Sequence, residues 1–399
     1  MNSKKVSEFG KLISNVDLLE YLKSVKFSKP TQVQGECIPQ LLRDGNYTVQ
    51  GRTGSGKTLG YLLPLIQKLK EAEVSGASEK AGRPKAIILL PTRELAIQVF
   101  GIAKGISHFA KQRVRKLVGG DKGRSLDNLY SSEMDILVTT PDRCLRAFKN
   151  KELSSRSLKY LIFDEADQLL ESSFKKTVAE LTTVLREEKT QVFLISASRP
   201  ANFSELIVEY FPGKSFKTIG KGEENVLNHE VKTYNITLEN EDKFTYINSF
   251  IKEQNKKNGL IFMGNKARAK NVFKMIQDSG MEKVHILHKD LEIKERVAVV
   301  EKFRKSGGIM VATDIFARGI DITHLQWVLN FDLPSEPDYY LHRSGRVGRA
   351  GRAGSVFNFV TSKDTQRRQK INDALVLQGR NDLRIASKKT KQKNEKRKR

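Results

Sequence analysis

At 399 residues the chain exceeds the size at which one hydrophobic core usually keeps growing, so two domains are expected. Its 38% hydrophobic content argues against a disordered chain, and the sequence holds no apolar run of about 18 residues that would span a membrane. The 71 Lys and Arg against 46 Asp and Glu leave a net charge of +25, which attracts polyanions, chiefly nucleic acid, without naming which.

The first residues, Met1-Asn2-Ser3-Lys4-Lys5-Val6, lack the apolar core of a secretory signal. Cys37 and Cys144 are too far apart in sequence to suggest a disulfide framework or a zinc cluster, so a reducing, cytoplasmic setting is expected. From about residue 9 to 216 the pattern alternates helix and strand. A short β-like segment, Tyr47-Thr48-Val49, precedes a glycine-rich stretch, and residues 59–70 suit the helix that follows. Apolar runs at 86–90, 135–138, 160–163 and 191–195 read as buried strands, with helix-length stretches such as 95–110 and 174–188 between them. Buried strands separated by helices predict a parallel sheet with right-handed crossovers.

Between 217 and 228 the texture turns polar, as a linker would. A second set of strands is then predicted at 259–263, 284–287, 309–312, 327–330 and 356–360. The expected organisation is an α/β domain over 1–216, a flexible linker over 217–228, a second α/β domain over 229–365 and a basic, largely disordered tail over 366–399. Residues 387–399 hold eight Lys/Arg and one Glu, suited to phosphate contacts without sequence preference. A solubilising tail and an import-like basic run are the alternatives.

Two segments carry the chemistry. Gly51-Arg52-Thr53-Gly54-Ser55-Gly56-Lys57-Thr58 fits the phosphate-binding loop pattern, and it follows a strand and opens a helix. Its glycines let the chain turn tightly so that backbone N–H groups face phosphate oxygens. Lys57 reaches the β/γ phosphates and the Thr58 hydroxyl ligates magnesium. The second segment, Leu161-Ile162-Phe163 running into Asp164-Glu165, is a hydrophobic strand ending in two acids. At such a strand end Asp164 can hold the metal and Glu165 can orient and deprotonate an attacking water. ATP with Mg2+ is the expected ligand pair.

Together with Asp164-Glu165-Ala166-Asp167, the chain resembles a DEAD-box RNA helicase of superfamily 2 over residues 9–354. The resemblance implies two tandem RecA-like domains. Phe27-Ser28-Lys29-Pro30-Thr31-Gln32-Val33-Gln34 is similar to the family's adenine-reading Q motif, which implies that Gln34 bonds the adenine edge, that Phe27 packs on the ring and that Phe9 supports it. Pro91, Thr92, Arg93, Gly120, Thr140 and Arg143 lie in segments similar to the RNA-backbone motifs, where hydroxyls, N–H groups and guanidinium groups suit phosphate and 2′-OH contacts. Ser196-Ala197-Ser198 stands for the commoner Ser-Ala-Thr and keeps both hydroxyls for coupling the acids to RNA.

In the second half, Thr313 and Asp321 lie in a motif V-like run, which implies that Asp321 meets the ribose hydroxyls and Thr313 the RNA backbone. His342-Arg343-Ser344-Gly345-Arg346-Val347-Gly348-Arg349 is similar to motif VI. The resemblance implies that Arg346 and Arg349 reach the γ-phosphate, an arginine-finger effect on the order of 10³–10⁵ in related NTPases. Arg296 remains at its motif position. Four further residues depart from the family pattern: Asp142 for glycine, where a carboxylate could repel phosphate but is read as a helix cap, Asn265 for threonine, Lys289 for glycine and Ile293 for glutamine.

The function implied is ATP hydrolysis on closure of two domains around single-stranded RNA, with local separation of RNA duplexes or remodelling of RNA–protein complexes. A monomer without membrane association is expected, with ribonucleoprotein or ribosome-assembly partners open. An ATP-gated RNA clamp or annealing protein with little unwinding is the alternative, and a DNA translocase of the same superfamily is a third reading.

Overall fold

The computed structural model describes residues 8–51, 54–73, 81–119, 130–170, 174–185, 189–197, 203–220, 231–239, 242–254, 258–288, 290–313, 325–348 and 353–376. The chain divides into two units, Met1–Glu224 and Asn225–Arg399.

In the first unit the strands are β1 (Asn46–Gln50), β2 (Ala86–Leu89), β3 (Val114–Leu117), β4 (Ile136–Thr139), β5 (Tyr160–Asp164), β6 (Gln191–Ser196) and β7 (Phe216–Ile219). They form a seven-stranded sheet in the order β3-β4-β2-β5-β6-β1-β7, with every pairing parallel. Its helices are α1 (Val16–Ser24), α2 (Gln32–Leu41), α3 (Lys57–Glu73), α4 (Arg93–Ala110), α5 (Pro141–Lys149), α6 (Ala166–Leu169), α7 (Lys175–Val184) and α8 (Phe203–Tyr210). Alternation along each strand sends side chains to opposite faces. Ala86, Ile88, Ile162, Phe193 and Ile195 join a core with α1–α4, whereas Ile87, Leu89, Phe163 and Leu194 join a second core with α5–α8. Both faces being covered, the central strands are buried along most of their length, which is why they read as apolar runs.

The second unit has a six-stranded parallel sheet in the order β10-β11-β9-β12-β13-β8. The strands are β8 (Val231–Thr237), β9 (Gly259–Met263), β10 (Val284–Leu287), β11 (Ile309–Thr313), β12 (Trp327–Asn330) and β13 (Gly354–Val360). The helices are α9 (Asp242–Glu253), α10 (Lys266–Asp278), α11 (Ile293–Ser306), α12 (Pro337–Ser344) and α13 (Thr365–Val376). Ile261 and Met263 face a core with α9 and α10, and Leu260 and Phe262 face one containing Phe303 of α11.

Three sequence expectations change. Phe216–Ile219 is a strand paired to β1, with Val49 opposite Ile219, so the first sheet extends into the stretch assigned to the linker. Residues 365–376 form α13, all but the first of them within the stretch assigned to the tail. Ile371 and Leu375, one helical turn apart, are buried with Leu333, Tyr340 and Val360, and that is enough to hold a helix of otherwise polar residues. The strands β3 and β8 were not among those predicted. Both are edge strands, and their partly exposed, Lys-containing sequences Val-Arg-Lys-Leu and Val-Lys-Thr-Tyr-Asn-Ile-Thr carry little apolar signal. The remaining tail, 377–399, lies outside the described residues, as do 221–228 of the expected linker. Among the described residues no helix is long and apolar enough to cross a membrane.

Candidate nucleotide site and the arginine helix

Because the first sheet is parallel, the chain segments leaving the ends of β1, β2, β4, β5 and β6 all emerge on one edge. That edge is where ligands of such sheets bind. Gly51 leaves β1 there, and its N–H donates to the Ser196 carbonyl at the end of β6, 3.2 Å. Gly54 and Gly56 adopt φ of +79° and +90°, conformations that side-chain-bearing residues rarely take. Lys57 then starts α3, and its Nζ donates to the Gly51 carbonyl at 2.5 Å, closing the loop on itself. Ser55 Oγ is buried without a hydrogen-bond partner beside this turn. Such an orphaned hydroxyl, next to a helix N-terminus, fits a loop built to receive phosphate. Arg52 and Thr53 lie outside the described residues.

The loop is braced from below by α2. Thr31 and Gln34 form a capping box: Thr31 Oγ1 accepts from the Gln34 N–H, and Gln34 Oε1 accepts from the Thr31 N–H at 2.9 Å. The Thr31 hydroxyl also donates to the Ser55 carbonyl at 2.7 Å, and Gln34 Nε2 donates to the Gly56 carbonyl at 3.0 Å. Gln34, expected at an adenine edge, is therefore first a clamp on the phosphate loop. Its amide has one N–H and one oxygen lone pair beyond these bonds, the complementary pair that a purine edge requires. Phe27 is 49% exposed, available for ring packing, while Phe9 is buried in the core shared by α1–α4.

Asp164 ends β5, two strands from β1 in the sheet. Its Oδ2 accepts from the Tyr61 hydroxyl at 2.9 Å and its Oδ1 from the Glu165 N–H at 3.0 Å. Burial raises its carboxyl above the ordinary aspartate value. The Tyr61 bond, the charge of Lys57 and the Glu165 N–H pull the other way without cancelling that effect. A buried carboxylate under desolvation strain is one that gains from a cation, so Asp164 fits a metal ligand. Tyr61 is fully enclosed and its own hydroxyl is driven well up by burial and by Asp164. It was missed from the sequence, although it lies four residues beyond Lys57 and so on the same face of α3.

Glu165 has φ +56° and ψ +49°, in the left-handed region, as the cap residue of α6. A glutamate held there is strained, which marks a side chain re-aimed by its backbone. Ser196 lies buried at the end of β6, in register with Gln50. Thr92 caps α4, its Oγ1 accepting from the Leu95 N–H at 3.3 Å, and Arg93 opens that helix after Pro91. Thr140 precedes α5, and Arg143 lies in its first turn. Asp142 does not cap this helix as expected. Its carboxylate accepts from the Thr177 hydroxyl at 2.9 Å, tying α5 to α7. Gly120 and Ser198 lie outside the described residues.

In the second unit Thr313 ends β11, and Arg296 on α11 donates through Nε to the Leu291 carbonyl at 2.7 Å. Asn265 caps α10, its Oδ1 accepting from the Arg268 N–H at 3.0 Å, so asparagine there provides a helix cap as threonine can. Ile293 opens α11, and Lys289 lies outside the described residues. Arg346 follows α12, 5% exposed, its N–H donating to the Arg343 carbonyl at 3.1 Å. Arg343 itself is completely buried, with its guanidinium 4.9 Å from the centre of the Phe262 ring. The sequence alone does not separate this core arginine from its neighbours. Asp321 and Arg349 lie outside the described residues.

Residues 31–206 match the family model described as DEAD/DEAH box helicase, and residues 242–351 match the helicase conserved C-terminal domain. The chain is 30% identical over 374 residues to the ATP-dependent RNA helicase SrmB of Haemophilus influenzae, covering 92% of this chain and 82% of that protein. It is 32% identical over 375 residues to a probable ATP-dependent RNA helicase of Methanocaldococcus jannaschii, covering 92% and 96%. Among solved structures it is similar to S. cerevisiae Dbp5 bound to RNA and ADP BeF3, with TM-score 0.77, 26% identity and coverage of 92% and 94%.

Proposed function

From the chain's membership of the DEAD-box helicases of superfamily 2, we propose that it is an ATP-dependent RNA helicase that hydrolyses ATP in response to RNA and separates short duplexes locally. The observation that carries this reading is the arrangement at the sheet edge. A glycine loop with Lys57 leaves β1, and the buried Asp164 with the backbone-strained Glu165 leaves β5.

In this reading the N–H groups of residues 51–58 bind phosphate oxygens, and Lys57 exchanges its Gly51 carbonyl for the β/γ phosphates. Gln34 and Phe27 select the adenine. Thr58 and Asp164 would hold magnesium, which would supply neutralising charge to the phosphates. Tyr61 keeps the Asp164 carboxyl oriented. Glu165 takes a proton from the attacking water as it adds to the terminal phosphorus, and the bond from that phosphorus to the β–γ bridging oxygen breaks, releasing ADP and phosphate. Arg346 and Arg349 offset the charge that develops on the transferred phosphoryl group, and Asp321 meets the ribose. Pro91, Thr92, Arg93, Gly120, Thr140, Arg143, Arg296 and Thr313 bind the RNA backbone, and Ser196 and Ser198 couple that binding to the acids.

In this reading ATP and RNA favour the same state of the protein, so each raises the affinity for the other. We place the protein in the cytoplasm as a monomer acting on RNA or ribonucleoprotein, with the basic tail adding phosphate contacts. A duplex-release assay tests the reading against an ATP-gated clamp. ATP is expected to release the strand over many turnovers, while a non-hydrolysable analogue gives at most one release per protein. Stable RNA retention with ATP and no strand release makes the protein a clamp instead.

A further inference from the structure

We propose that the side chains of Asn235, Asn358 and Asn330 form a polarised amide chain that positions Arg343 and, through it, the turn carrying Arg346. The inference rests on the ATPase reading above and assigns three positioning residues to it. The strands β8, β13 and β12 are neighbours in the second sheet, and the three asparagines lie directly opposite one another in register. Asn358 Nδ2 donates to Asn235 Oδ1 at 2.9 Å, and Asn330 Nδ2 donates to Asn358 Oδ1 at 2.8 Å. Arg343 Nη1 donates to Asn330 Oδ1 at 2.9 Å and to the Asp332 carbonyl at 2.7 Å.

Arginine only donates, so Asn330 must turn its oxygen toward Arg343 and its amide nitrogen toward Asn358. The same logic then orients Asn358 toward Asn235. Only one choice of amide orientation satisfies all three links, and it aligns every dipole with the cation at the head of the chain. Such a series strengthens each bond through polarisation by the next. The second N–H of Asn358 also donates to the Tyr340 hydroxyl at 3.2 Å. The chain therefore grips α12 at Tyr340 and Arg343, three residues apart and on one face of the helix.

Asn330, Asn358 and Arg343 are each 0% exposed. Apolar side chains would fill the middle of a sheet at lower desolvation cost, so three asparagines at one level argue for a role in specifying geometry. The Arg343 carbonyl accepts the Arg346 N–H, so the residue held by the chain also sets the turn from which Arg346 departs.

Asn235 is the accessible end of the chain: it is half-buried, on an edge strand, and its oxygen supplies the link to Asn358. Asn235→Ala removes that acceptor, whereas Asn235→Asp retains it. With saturating single-stranded RNA, Asn235→Ala is expected to lower kcat about three- to tenfold, the equivalent of one lost hydrogen bond, with KM for ATP within twofold of the parent. Asn235→Asp is expected to restore kcat to within twofold.

Backbone amide exchange over 337–348 is expected to quicken in Asn235→Ala and not in Asn235→Asp. A poorly folded alanine variant, recognised by its melting temperature, is replaced by Asn235→Ser, whose side chain is too short to meet Asn358 and carries the same expectation. Parental kcat and exchange in Asn235→Ala, or equal losses in the alanine and aspartate variants, overturn the proposal. If the parent chain shows no RNA-stimulated turnover, the ATPase reading fails, while the exchange comparison still decides whether the amide chain holds α12.

Discussion

Glu165 illustrates how a fold can fix where one side chain departs at the expense of stability. A non-glycine residue in the left-handed region costs roughly 1 kcal/mol, and the strand–helix junction at Asp164–Ala166 imposes that conformation. Glycine adopts it without strain. Glu165→Gly is therefore expected to melt about 2–4 °C above Glu165→Ala, the shift that roughly 1 kcal/mol gives in a unit of this size, while neither variant turns over ATP. An alanine variant that melts at or above the glycine variant refutes the strain. The place of Glu165 at the sheet's edge was legible from its position after an apolar strand, because such a strand in a parallel sheet ends where ligands bind. Its φ was not, since nothing in a local pattern distinguishes a relaxed helix start from a strained one. Tyr61 was hidden for a different reason: a tyrosine on an apolar helix reads as core, and only the fold brings Asp164 to it.

At the scale of elements, the phosphate loop and α2 form one unit. A Cβ on Gly56 would lie 2.4 Å from Gln34 Nε2, and Gly56 has φ +90°. Gly56→Ala is expected to weaken ATP binding at least tenfold, from backbone strain together with displacement of Gln34. Gln34→Ala is expected to weaken it through loss of the clamp. Because the two act on one contact, the double variant should lose less than the sum of the single losses, by about 0.5–3 kcal/mol in a fluorescent-nucleotide titration. Strictly additive losses would show that Gln34 does not brace the loop.

The elements themselves were readable in proportion to their burial. The central strands are apolar runs because helices cover both faces, whereas β3 and β8 at sheet edges and α13 with its two anchors, Ile371 and Leu375, leave no comparable signal. The amide chain on β8, β13 and β12 was illegible for a related reason. Its members are separated by up to 123 residues and share nothing but register.

For the whole molecule, two parallel-sheet units carry complementary equipment: a phosphate loop and paired acids in the first, and an arginine-bearing helix and turn in the second. A net charge of +25 favours polyanions such as RNA, but it confers neither ATP dependence nor a preference among them. Those depend on the site. The most direct measurement is steady-state ATP hydrolysis by the full chain, with and without single-stranded RNA, beside Glu165→Gln. RNA is expected to raise kcat at least about tenfold in the parent, and the glutamine variant to bind ATP still while its turnover falls at least about 100-fold. Turnover indifferent to RNA, or a glutamine variant as active as the parent, would contradict it.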